Sequence, residues 1–96
     1  MTTSSRSSGL KTADEAICPC RSRVNAVTLL GDGTNAASLI LYDNASAASG
    51  TVLAKVTQLA TARLTHIFFD NPVFAENGIY ADVTGTGAEY IVYYGG

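Results

Sequence analysis

Short apolar runs, each closed within about ten residues by a cluster of Gly, Asn, Asp or Pro, dominate this chain from residue 21 onward. That rhythm leaves no room for long helices. It asks for strands that reverse often, and β-branched and aromatic residues fill the runs. The reading yields six strands: 21–30, 37–43, 51–59, 64–70, 79–85 and 88–94. Between them, Gly31-Asp32-Gly33-Thr34-Asn35, Asp43-Asn44, Asp70-Asn71-Pro72, Asn77-Gly78 and Gly85-Thr86-Gly87 supply turn chemistry. Alternation puts Ile79, Ala81 and Val83 inward in one strand, and Ala88, Tyr90, Val92 and Tyr94 on one face of the next. It sends Val52, Ala54 and Val56 inward, and Phe74 beneath a loop. Segment 52–64 also carries a helical spacing at Val52, Val56, Leu59 and Arg63, opposed by Thr57 and Thr61. The expected fold is all-β: a small antiparallel β-sandwich, jelly-roll or immunoglobulin-like, of six to seven strands.

The first twenty residues read differently. Residues 1–9 are rich in Ser and Thr and too poor in apolar groups to offset the entropy of ordering. Residues 10–17 offer either a short helical turn, from the capping-box spacing of Thr12 and Glu15, or an extended segment docked on the body. We therefore divide the chain into a flexible or extended N-terminal arm, 1–20, and a β-sandwich domain, 21–96. Removing the arm is expected to leave the body folded.

Charge separates the two parts. Residues 1–23 carry Arg6, Lys11, Arg21 and Arg23 against Asp14 and Glu15, while residues 24–96 hold two basic and six acidic groups. An acidic body with so few arm cations argues against nucleic acid as partner, whereas a basic arm suits an acidic protein surface. No run approaches the roughly 18 apolar residues of a membrane span. The polar start lacks a signal-peptide pattern, so synthesis in a cytosol with reduced thiols is expected. A 96-residue chain with two Cys and one His has little to staple it, which favours oligomerisation.

Catalytic signals are thin. Cys18-Pro19-Cys20 is half of a zinc pattern without the second pair, and two Cys flanking one Pro are awkwardly placed to bridge, so they read as inert thiols. His66 has no nucleophile and acid in a recognised context, and reads as a residue at an edge or interface. Asp32 and Asp43 each bring a single carboxylate, short of a calcium loop. Asp82 and Glu89, across the closing hairpin, read as a solvated acidic face. No catalytic residue, metal or cofactor is expected. Tyrosines are the better lead, because they bury area while keeping a polar tip. Tyr80 and Tyr93, with Arg6, Lys11, Arg21 and Arg23, are the candidate partner-binding residues. Segment 90–94, YIVYY, is apolar and uncharged, safe from edge-to-edge association only when paired on its edges.

The stretch from Ser38 through Leu39-Ile40-Leu41-Tyr42-Asp43-Asn44, with Ser46–Thr51 and Val52-Leu53-Ala54 after it, resembles a pattern in small structural proteins of tailed bacteriophages. The ending, Asn77 to Thr86 and then Ala88 to Tyr94, is similar to the closing hairpin of that group. The group includes capsid decoration (cement) proteins, and the likeness spans about residues 24–96. It implies a virion protein without catalysis, made in the host cytoplasm and bound to the outer surface of the major capsid protein lattice. A homo-oligomer, trimer or dimer, is implied with it. A head–tail junction protein, a tail or fibre module, or a host-glycan binding module are the alternatives.

Overall fold

The computed structural model describes residues 5–95. Of the segment read as unstructured, residues 1–4 lie outside that range. Among the described residues eight strands are present: β1 (Arg6–Ser7), β2 (Glu15–Cys18), β3 (Ser22–Leu30), β4 (Ala37–Tyr42), β5 (Val52–Gln58), β6 (Leu64–Ala75), β7 (Ile79–Thr84) and β8 (Glu89–Gly95). All six expected strands of the body form, and segment 52–64 is strand rather than helix over Val52–Gln58.

The strands build two four-stranded antiparallel sheets, ordered β1-β8-β3-β6 and β2-β7-β4-β5. Each strand of the first half pairs with its mirror in the second: β1 with β8, β2 with β7, β3 with β6, β4 with β5. The β8–β3 and β7–β4 pairings then join these ladders two by two. This is the order of a jelly roll, one long antiparallel hairpin wound into a double Greek key. Of the two sandwich topologies left open by the sequence, the chain adopts this one.

Alternation supplies the core. Val24, Val27, Leu29, Tyr90 and Val92 from one sheet meet Leu39, Leu41, Val56, Ile79 and Ala81 from the other, all buried. Full burial of side chains of this size stabilises by roughly 1.5–3 kcal/mol each. Two bulges explain where simple alternation fails. In β3 the register shifts between Val24 and Ala26, so Asn25 is the extra residue against β8. The bulge lets Val24, Val27 and Leu29 share the core while Ala26 and Thr28 turn outward. In β5 a shift at the Leu41/Tyr42 register makes Leu53 the extra residue. Leu53 packs against the core, and Val52, expected inside, is 50% exposed.

The Asp70-Asn71-Pro72 turn signal does not end its strand. β6 runs through it to Ala75, with Phe69–Pro72 looped out between the Ala26–Phe68 and Val24–Val73 pairs. β6 is a sheet edge, where a residue without an N–H costs no ladder bond. Phe74 is 43% exposed instead of lying beneath a loop, because it pairs with Arg23 on the far side of that bulge.

The arm is extended, and it is woven into both sheets. β1 pairs with β8, and the Ser8, Lys11 and Tyr90 backbones continue that ladder. The chain then crosses to the other sheet, where β2 pairs with β7. Asp14 accepts the Val83 N–H at 2.9 Å, and the buried Tyr90 hydroxyl donates to Ala13 O at 2.6 Å. No helical turn forms over 10–17; Thr12 has no regular structure, Ala13 is a bend and Glu15 opens β2. Residues 5–18 thus contribute an edge strand to each sheet rather than standing apart from a body that starts at 21. Backbone pairing to the β8 edge orders them, which a polar sequence with no apolar period does not announce. The pairing also places YIVYY between β1 and β3, so both of its edges are covered.

One glycine is decisive. Gly78 has φ +147°, and a Cβ there would meet Cys18 O at 2.5 Å and Asn44 O at 3.1 Å. It lets the end of β2, the β4–β5 loop and the β6–β7 turn meet.

Candidate interaction surface

Register fixes what faces outward from the first sheet. Three rows cross β8, β3 and β6: Tyr93–Ala26–Phe68, Ile91–Thr28–His66 and Glu89–Leu30–Leu64. Their neighbours Val27, Leu29, Tyr90 and Val92 point into the core, so these rows form the solvent face. It is unusually apolar: Phe68 is 71% exposed and Leu64 61%. Contiguous exposed apolar groups of this kind mark contact surfaces. Inside the patch, Thr28 Oγ1 and His66 Nδ1 lie 2.7 Å apart, and the His66 ring meets Tyr93 edge-on at 6.3 Å. His66 therefore sits on an edge strand, in the setting expected of it, and it is held by neighbours on β3 and β8.

Next to this face the β6 bulge opens a cleft of about 260 Å³ whose walls include Arg23, Asn25, Phe68, Asp70 and Pro72. The Arg21 guanidinium lies over the Phe74 ring, 4.9 Å from its centre, an arrangement worth about 0.5–1 kcal/mol at an exposed site. Arg6 shares a neighbouring pocket with Arg21. Arg6, Arg21 and Arg23 are all exposed, and gather at the end of the sandwich where β1 and β3 begin and β8 ends.

Of the six candidate residues, the structure thus groups Arg6, Arg21 and Arg23 at one end of the sandwich and places Tyr93 on the apolar outer face. Lys11 is set apart by its salt bridge to Glu15 at 2.8 Å, the one ion pair among the described residues. Tyr80 lies on the outer face of the other sheet, in a row with Tyr42 and Val52. Phe68, Leu64, Asn25 and Asp70 were not singled out from sequence. Alternation puts His66 and Phe68 on one face of β6 and Ile67 and Phe69 on the other, but the neighbours of Phe68 across three strands come from the register alone.

Carboxylates are placed for structure. Asp32 accepts the Thr34 and Asn35 N–H groups, both at 2.8 Å, and these bonds, with that from the Asn35 side chain, hold its carboxyl below the usual range. Asn44 caps its loop in the same way, through Ser46 N and Ala47 N. Asp82 and Glu89 are not neighbours, since β7 and β8 belong to different sheets. Asp82 faces Asp14 instead, and burial, the Asp14 charge and a shared hydrogen bond push its carboxyl up. Among the described residues no group of three or more His, Cys, Asp or Glu side chains is placed to hold a metal ion. No helix there is long and apolar enough to cross a membrane. The chain matches no protein-family model, and no curated protein matches it significantly.

Proposed function

We propose that this protein is a capsid decoration protein of a tailed bacteriophage, adhering to the outer surface of the major capsid protein lattice and stabilising the shell. The observation that carries the reading is the outer face of the β1-β8-β3-β6 sheet. Phe68, Leu64, Ile91 and Tyr93 present apolar area on this face, with Arg21 and Arg23 past its Phe68 end, Arg6 nearby at the same end of the sandwich, and Glu89 at its Leu64 end. An apolar face with a basic end suits an acidic protein surface, and the charged end steers the encounter. A lattice repeats that surface, so weak contacts made by a homo-oligomer sum through avidity. The jelly-roll order and the sequence resemblance over residues 24–96 agree with a virion protein made in the host cytoplasm and carried on the capsid surface.

The test is cosedimentation with expanded, undecorated capsids. The wild-type chain saturates the shells, and Phe68→Asp, which alters no core contact, abolishes binding while the melting curve stays unchanged. Full binding by Phe68→Asp defeats the assignment of the face. Absence of wild-type binding defeats the function.

A second reading is supported by the cleft. An exposed Phe68 ring next to Asn25, Arg23 and Asp70 is the combination of stacking platform and planar polar groups that a sugar requires. A glycan array decides for it if binding appears and is lost in both Phe68→Ala and Asn25→Ala.

A further inference from the structure

Cys18 closes β2, and Cys20 lies two residues on in the turn to β3. The spacing alone argues for inert thiols, but the fold brings the two Sγ atoms within 2.9 Å, inside the ordinary contact distance of two unbonded sulfurs. Cys18 is buried and Cys20 exposed. Both open onto a pocket of about 180 Å³ walled by Arg6, Arg21, Ser22 and Tyr94, with no carboxylate side chain among the described residues that line it. The Ser22 hydroxyl, only 4% exposed as a residue, has no hydrogen-bond partner among the described residues. A buried donor without a partner is costly, and beside a sulfur it has an evident use in solvating a thiolate.

The geometry points to a redox-active dithiol: Cys18 and Cys20 close to an intramolecular disulfide by reducing a small, carboxylate-bearing disulfide drawn in by Arg6 and Arg21. The Cys18 thiolate attacks one sulfur of the incoming disulfide. A protein–ligand S–S bond forms, and the first ligand thiolate leaves. Cys20 then loses its proton to solvent and attacks the Cys18 sulfur, which releases the second ligand thiolate. Both leaving thiolates take up protons, so two thiols of the protein and one small disulfide become one protein disulfide and two small thiols. Two electrons pass from protein to ligand.

Electrostatics supports the order of attack. Burial opposes ionisation of Cys18, but its hydrogen bonding with Cys20, the nearby Ser22 hydroxyl and the Arg6 charge outweigh it and leave the thiol below its ordinary value. Cys20 is displaced upward, first by its hydrogen bond with Cys18 and then by burial and the Cys18 charge. Cys18 is therefore the nucleophile and Cys20 the resolving thiol.

The experiment treats the reduced full chain with oxidised glutathione, quenches in acid, alkylates with iodoacetamide and reads intact mass. The wild-type chain is expected to lose two hydrogens and take up no alkyl group. Cys20→Ser should trap a glutathione adduct on Cys18. Arg6→Ala with Arg21→Ala should slow the reaction at least several-fold, while the rate with uncharged 2-hydroxyethyl disulfide is unchanged. Alkylation of both thiols in the glutathione-treated wild type, or a disulfide that links two chains on a non-reducing gel, overturns the proposal. Equal slowing with both disulfides overturns the role of the arginines. Should Cys20→Ser fail to fold by circular dichroism, the wild-type alkylation pattern decides alone.

Discussion

Removing one oxygen atom tests whether residues 5–18 are part of the fold. Tyr90 is fully buried in β8, and its hydroxyl reaches out of the core to Ala13 O at 2.6 Å. Tyr90→Phe keeps the ring and its packing and deletes only that tie. A net hydrogen bond contributes about 0.5–1.5 kcal/mol. Ala13 is exposed, so its freed carbonyl regains water, which places the loss near the middle, about 1 kcal/mol. For a domain of this size that lowers the melting temperature by about 4–8 °C. The pH dependence adds a second signature. Burial, then the charges of Glu15 and Asp14 and the nearby Tyr80, raise the Tyr90 hydroxyl well above its ordinary value of 10. The unfolded chain therefore releases this proton first as pH rises past that value, so stability complete below it drains away above it. The phenylalanine variant has no such proton to lose, so the gap between the two proteins narrows as alkali is added. The assay is thermal unfolding by circular dichroism at neutral pH and above pH 10, with amide exchange along residues 11–18. Equal melting at neutral pH, together with unchanged exchange in that segment, refutes the anchoring.

Deleting residues 1–20 removes β1 and β2 and uncovers the β8 edge; the truncated chain should aggregate on refolding, seen as light scattering, whereas a soluble, cooperatively melting product would restore the arm as a separate unit. Gly78→Ala forces a side chain into backbone atoms at positive φ and should cost about 2 kcal/mol or more in a urea unfolding experiment. Asp82→Asn removes a carboxyl whose ionised form is disfavoured in the folded state. That group contributes most at low pH and loses its contribution as pH rises through its elevated value, so the variant should melt slightly higher than wild type near pH 7, by up to about 0.5 kcal/mol, and show no gain near pH 3.

Much of the architecture is legible in the chain because alternation and turn chemistry are local. Ile79 and Ala81, and Tyr90 and Val92, follow period two and lie in the core as read. The misreadings share a cause, which is that pairing across the sheets overrides a local signal. Asn71-Pro72 breaks a strand in most settings but is accommodated at the β6 edge. Val52 obeys alternation until the bulge at Leu53 shifts the face. The Ser-rich start looks unable to order because its partners, Tyr90 and Val92, stand more than seventy residues away. The surface was half visible for the same reason. Arg6, Arg21, Arg23 and Tyr93 are noticeable as residue types, whereas Phe68 and Leu64 gain meaning only when β3, β6 and β8 lie side by side.

Adhesion to a repeated shell is the claim on which the functional account rests. Quantitative mass spectrometry of virions purified from the source of this sequence tests it most directly. The account predicts this chain in a copy number comparable to that of the major capsid protein, lost when the capsid surface is stripped. A handful of copies that stay with the neck or tail, or none at all, contradicts it.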